Sequence, residues 1–186
     1  MSDVELGAIE FLEHQHHEVS SLMSGIASGA GDRQRDFETL VRMLAVHETA
    51  EEIVVYPALR TKVPNGDSLA EPRLEEERRA KALLAELEKL GVGDAAFETK
   101  FSELAAAVRA HAQQEEEAVF PRLRPYLDAD DLDRMQKALV AAEAVAPTHP
   151  HPHGPESAAG NLVMGPFVAI ADRVRDALHS LSKKSA

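Results

Sequence analysis

Two stretches of this chain carry the same arrangement of side chains able to bind a metal ion. His47-Glu48-Thr49-Ala50-Glu51-Glu52 continues to Tyr56-Pro57-Ala58-Leu59, and His111-Ala112-Gln113-Gln114-Glu115-Glu116 continues to Phe120-Pro121-Arg122-Leu123. Each copy reads His-x-x-x-Glu-Glu, three further residues, an aromatic, Pro, one residue and Leu. On a helix, positions i and i+4 lie on one face. Each copy therefore directs one imidazole and one carboxylate the same way, and two such helices facing each other could hold a pair of metal ions.

Four long amphipathic segments would have to position these groups. The first spans about residues 4 to 28, with the apolar stripe Ile9, Leu12, Val19, Leu22/Met23 and Ile26; the step of three or four is broken only at His16. The second, about 33 to 61, runs Phe37, Leu40/Val41, Leu44, then His47 and Glu51, then Val54/Val55. The loop 63–68 holds turn residues and an expected N-cap. The third, about 68 to 90, runs Leu74, Glu77, Ala80/Lys81, Leu84 and Leu87. The fourth starts near Asp94 and runs Phe97, Phe101, Leu104, Val108, then His111 and Glu115, then Val119; Pro121 and Pro125 should kink or end it.

His16, His47, Glu51, Glu77, His111 and Glu115 thus occupy core-facing slots of otherwise apolar stripes. A buried unpaired carboxylate costs roughly several kcal/mol and normally protonates or finds a partner. A bound cation offsets the charge and fills the lone pairs of three carboxylates and three imidazoles at once. Glu48, Glu52, Glu116 and Glu117 fall off the stripes and are expected to face water, as are His14 and His17. Tyr56 lies nine residues after His47, which an ideal helix turns to the far side, although Pro57 could distort that turn. It stands as a packed aromatic, a hydrogen-bond donor to a ligand, or a phenolate ligand itself. The second copy has Phe120 there, which favours packing as the shared role.

Bulk composition narrows the rest. The chain has 186 residues, 44% of them hydrophobic and only 4% aromatic, and it is rich in Ala, Leu and Glu, which favours an all-α fold. A net charge of −12 argues against nucleic acid or anionic membrane partners. The absence of Cys excludes thiolate zinc sites, iron–sulfur clusters and disulfides. No apolar run approaches the roughly 20 residues that span a bilayer, and the acidic start lacks a secretory signal pattern, so a cytoplasmic location is expected.

With these motifs in view, the chain resembles the hemerythrin-like (HHE cation-binding) domain family over about residues 5 to 125. The phrase Phe11-Leu12-Glu13-His14-Gln15-His16-His17-Glu18-Val19 resembles the family's opening His motif, and the two His-x-x-x-Glu motifs match its second and fourth helices, Tyr56-Pro57 included. The resemblance implies an up-down-up-down four-helix bundle holding two iron ions with an oxo or hydroxo bridge. Glu51 and Glu115 would bridge the irons, and the histidines would be terminal ligands. His and Glu also suit Mn or Zn. The third helix departs from the pattern: Glu75-Glu76-Glu77-Arg78-Arg79-Ala80-Lys81-Ala82-Leu83-Leu84 places Glu77 where the family carries His. Hard anionic oxygen ligands favour the oxidised metal, so the expected chemistry is redox handling of oxygen, peroxide or nitric oxide, catalase-like or oxidase in kind, rather than reversible oxygen carriage. The alternative is a sensor or small-ligand binder without turnover.

The expected domains are a bundle over residues 1–127 and a helical extension over 128–186. The extension comprises a helix at about 130–145, the Pro/His-rich linker 147–157 with His149, His151 and His153, and a last helix at about 161–183. A monomer and a homodimer are both compatible with these features.

Overall fold

The computed structural model describes residues 7–150, so the expected last helix, His151 and His153 lie outside the described residues. The described chain is all helical. Helix α1 covers Ala8–Ser28, α2 Arg33–Ala50, α3 Tyr56–Lys62, α4 Asp67–Leu90, α5 Phe97–Gln114, α6 Phe120–Leu123 and α7 Ala129–Glu143. Helix α1 ends in left-handed Gly29, with the Ala30 N–H closing back on the Gly25 carbonyl. Asp32 and Asp128 cap α2 and α7 by accepting from the N–H groups of Arg35 and Asp131.

The expected long second and fourth helices are each interrupted by a π turn, at Glu51–Val55 between α2 and α3 and at Glu115–Val119 between α5 and α6. The cause is the Pro in each repeat. Pro57 and Pro121 donate no N–H, and each ring would collide with the carbonyl four residues back. The backbone widens instead, and the N–H groups of Tyr56 and Phe120 bond to the carbonyls of Glu51 and Glu115, five residues behind. The extra residue holds back everything beyond it by about a quarter turn.

A layer of His and Glu divides the apolar interior into two clusters. One is built around Leu12, Val54, Leu59, Phe120, Leu123 and Leu139, the other around Val19, Leu44, Leu84, Phe97, Phe101 and Leu104. Along the sequence, α1 passes from the first cluster through His16 to the second, α2 returns through His47 and Glu51, α4 goes out through Glu77, and α5 returns through His111 and Glu115. This alternation is the up-down-up-down bundle. Helix α7 lies against α1 and α2. It contributes Met135, Ala138, Leu139 and Ala142 to the first cluster and is tied to α3 by the buried Lys62–Asp131 pair at 3.2 Å.

The loop before α4 corrects one expectation. Gly66 sits at the N-cap, and no side chain caps the helix. A Cβ on Gly66 would stand 2.1 Å from the Leu59 carbonyl oxygen, so the turn requires glycine for close approach. Gly66→Ala should destabilise the fold by about 1–3 kcal/mol, which urea denaturation would register as a lower midpoint at unchanged slope.

Candidate metal centre

All six core-facing polar residues meet between the two apolar clusters. His16, His47, Glu51, Glu77, His111 and Glu115 are each buried, Glu51 and Glu115 completely. Glu51 spans the group. Its Oε1 lies 3.2 Å from His47 Nε2 and 3.9 Å from His16 Nε2, while its Oε2 lies 4.0 Å from His111 Nε2. Glu115 Oε2 sits between His16 Nε2 at 3.3 Å and His111 Nε2 at 3.4 Å. Glu77 Oε1 is 4.0 Å from His111 Nε2. Two sets emerge whose ligand atoms lie within 4.8 Å of one another: His16, His47, Glu51 and Glu115, and Glu51, Glu77 and His111. They share Glu51, as a dinuclear site with a bridging carboxylate would.

The donor atoms fit a metal. The Nε2 atoms of His16, His47 and His111, both oxygens of Glu51, and Oε2 of Glu77 and Glu115 are buried without a hydrogen-bond partner. Leaving so many polar atoms unsatisfied would be costly unless a cation took their lone pairs. The opposite nitrogens are all engaged. His16 Nδ1 bonds Glu116 Oε1 at 2.8 Å, His111 Nδ1 bonds Glu76 Oε2 at 3.1 Å, and His47 Nδ1 bonds Gln15 Oε1 at 2.8 Å. With Nδ1–H donating outward, each Nε2 lone pair is left for a metal.

These outer partners are themselves anchored. Glu76 is gripped by Arg73 at 2.5 Å, and the Gln15 amide donates to Glu143 Oε1 on α7 at 2.6 Å. His47 is therefore held through Gln15 by the last residue of α7. Gln15→Ala should weaken metal affinity roughly 10–100-fold, read by competition against a chelator; unchanged affinity would show that this contact does not orient the imidazole.

The first π turn decides the position of Tyr56. An uninterrupted helix would carry it about 180° from His47. The widened turn brings its hydroxyl inward, donating to Glu77 Oε1 at 2.5 Å and to Glu115 Oε1 at 2.9 Å. Its counterpart Phe120 stacks on the His16 ring, centroids 5.9 Å apart. The matching aromatics thus do different work: one bonds carboxylates, the other braces an imidazole.

Glu48 does not face water as expected. It is buried beside Lys81 Nζ at 3.8 Å, and Lys81 also reaches Glu77 Oε2 at 3.7 Å and pairs with Glu52, which is half-buried. Glu116 is half-buried too and turned onto His16, whereas Glu117, His14 and His17 are exposed. Residue spacing on α2 had no means of showing Lys81, which arrives from α4. His149 lies outside the centre, 2.8 Å from Glu88 at the surface.

Protonation follows from this crowding. Burial alone would depress His16 and His111, but the Glu115 and Glu51 carboxylates overcome it and raise them to about 9 and about 12. Burial, then the charges of Glu48 and Glu51, drives Glu77 well above the usual carboxylate range. Burial pushes Glu51 upward, but His47, His111 and His16 outweigh it and hold the group well below its ordinary value. Burial and then Glu115 and Glu77 hold the Tyr56 phenol well above 10, and burial raises Glu48 to about 7 against the pull of Lys81. Protons therefore balance the centre when no metal does.

A cavity of about 190 Å³ reaches this layer, with His16, His47, His111 and Glu77 at its inner end. Among the described residues, no helix is long and apolar enough to cross a membrane.

Comparison with known proteins agrees with the geometry. Residues 7–123 match the hemerythrin HHE cation binding domain family. An uncharacterized hemerythrin-like protein of Schizosaccharomyces pombe is 28% identical over 149 residues, covering 76% of this chain and 73% of that one. A DNA nickase of Nostoc is 24% identical over 137 residues, covering 73% of this chain but only 38% of the nickase. The crystal structure of a hemerythrin HHE cation binding domain-containing protein from Mycobacterium kansasii superposes with a TM-score of 0.65 at 19% identity, covering 90% of this chain and 98% of that one, which shows a common fold. Bundle topology, buried His/Glu cluster and family match converge: the chain belongs to the hemerythrin HHE cation-binding domain family.

Proposed function

We propose that this protein is a non-haem di-iron protein that reacts with oxygen, peroxide or nitric oxide, with catalase-like breakdown of peroxide as its leading activity. The observation that carries the reading is the set of unpartnered, buried Nε2 and carboxylate atoms divided into two groups about Glu51, open to solvent on one side through a cavity. His16 and His47 would hold one iron, His111 and Glu77 the other, with Glu51 and Glu115 between them. The iron pair would supply two-electron redox chemistry.

The protein's part is positioning and proton supply. The cavity reaches His16, His47, His111 and Glu77, and the Nδ1 atoms of the three histidines are held by Glu116, Gln15 and Glu76. The Tyr56 hydroxyl donates to Glu77 Oε1 and Glu115 Oε1, which makes it the proton source nearest those two candidate ligands. Glu77 in place of the family's third-helix His adds anionic oxygen to the set. That favours the oxidised state and works against a carrier that must keep returning to the reduced one. The nickase activity named for the Nostoc relative is not carried over, because a net charge of −12 opposes binding to phosphate backbones.

Metal analysis, the optical spectrum and oxygen evolution from hydrogen peroxide test the proposal together. The expected result is iron in the purified protein, near-ultraviolet absorption typical of bridged ferric pairs, and oxygen release that stops when the metal is removed. A colourless, zinc-filled protein inert to peroxide would overturn it. Iron with ligand-dependent spectra but no turnover would favour the sensing alternative.

A further inference from the structure

The cavity beside the centre is larger than a diatomic or peroxide ligand requires, and its walls are selective. Val19, Met23, Leu44, Ala80 and Val108 form its sides, all buried. Four of them stand one helical turn from a member of the His/Glu layer: Val19 from His16, Leu44 from His47, Ala80 from Glu77 and Val108 from His111. The cavity is thus the apolar layer directly next to the centre, incompletely filled. Its mouth lies between α1 and α5, where His17, Arg109 and Gln113 are exposed.

A water molecule needs only about 10–15 Å³ of such space, and an apolar cavity of about 150 Å³ is enough to bind benzene. The roughly 190 Å³ here accommodates a ring-sized body. These five side chains are apolar, so the part of a ligand that lies against them must be apolar; Glu48, Glu116 and Arg109 also line the cavity, and its inner end offers His16, His47, His111 and Glu77. A ligand fitting both ends has a compact hydrocarbon group and one terminal oxygen function.

We propose that this cavity binds alkyl or aryl hydroperoxides of about six to nine carbons, hydrocarbon against Val19, Met23, Leu44, Ala80 and Val108 and the –OOH end toward the His/Glu layer. The assignment rests on the peroxide reading above and names its substrate class. The O–O bond of R–O–O–H breaks, two electrons and two protons enter, and R–OH and water leave. With hydrogen peroxide as the reductant, itself oxidised to oxygen, the sum is ROOH + H2O2 → ROH + H2O + O2.

The test uses the metal-loaded full chain, with cumene hydroperoxide as substrate and cumyl alcohol as the non-reacting probe. Calorimetry should show saturable one-to-one binding of the alcohol to the parent protein. Ala80→Leu, which extends a side chain into the cavity, should weaken that binding at least tenfold and lower the preference for cumene hydroperoxide over hydrogen peroxide by a similar factor; Val108→Phe gives the same readout should Ala80→Leu fail to fold. Absence of alcohol binding by the parent protein overturns the proposal, as does an equal loss of both substrates in the filled variants. Alcohol binding with neither peroxide consumed would leave the pocket but refute the peroxide chemistry, and the hydroperoxide assignment with it.

Discussion

Glu51→Ala should strip the candidate centre of its metal, because Glu51 is the residue common to both ligand sets. A site filled at about 1,000 times its Kd stabilises the fold by roughly 4 kcal/mol. For a chain of this size that corresponds to a melting temperature about 8–16 °C higher. The whole increment should vanish in the variant, together with the bound metal measured by elemental analysis. Glu51→Gln separates ligand loss from cavity formation, since it keeps the side-chain volume and removes the charge; it should behave like Glu51→Ala toward metal while unfolding at a higher temperature than Glu51→Ala without it. Full metal content in either variant would refute the assignment of Glu51 as the shared ligand.

Metal uptake should also expel protons. In the metal-free protein at neutral pH, His16 and His111 carry charge, so loading can release a proton from each, and the raised Glu77 carboxyl adds to the release wherever it is still protonated. A titration in weak buffer would count them. The effect on stability has a definite sign. His16 is raised from 6.5 to about 9, so its stabilising contribution is complete below about pH 6.5 and is lost as the pH climbs through 9. Glu77, raised by burial, also penalises the metal-free fold once its unfolded counterpart ionises, above the ordinary carboxyl value of 4.5. The metal-free protein should therefore melt at progressively lower temperature from pH 6.5 to 9, while the increment added by metal widens over the same range. Calorimetry with and without chelator would show the two curves diverging; parallel curves would mean that the ligands are not protonated beforehand.

The bundle and its six inward polar residues could be read from the chain because each interrupts an apolar stripe that is otherwise regular, and burial is what the stripe encodes. His16 is the plainest case, a single break between Leu12 and Val19. Glu48 shows the limit. It lies off the stripe, and its burial depends on Lys81, supplied by a helix about thirty residues onward. Gln15 and Glu76 were illegible for a similar reason: each is an unremarkable polar residue next to a ligand in sequence, and its part is set by a histidine on another helix. Pro57 and Pro121 pointed to a disturbance of their helices, but whether a proline ends, kinks or widens a helix depends on packing beyond it. Only the widened form brings the Tyr56 hydroxyl onto Glu77 and Glu115.

Helix α7 lies beyond residue 123, where the family match stops, yet its final residue grips Gln15 and through it His47. The stretch that the family match covers therefore leaves out one of the supports of His47. A shortened version ending at the family boundary would keep every candidate ligand and lose the brace on one of them, along with the apolar side chains that close that end of the interior. Changes in how this helix seats, arising far from the candidate ligands in sequence, have a direct mechanical route to one imidazole.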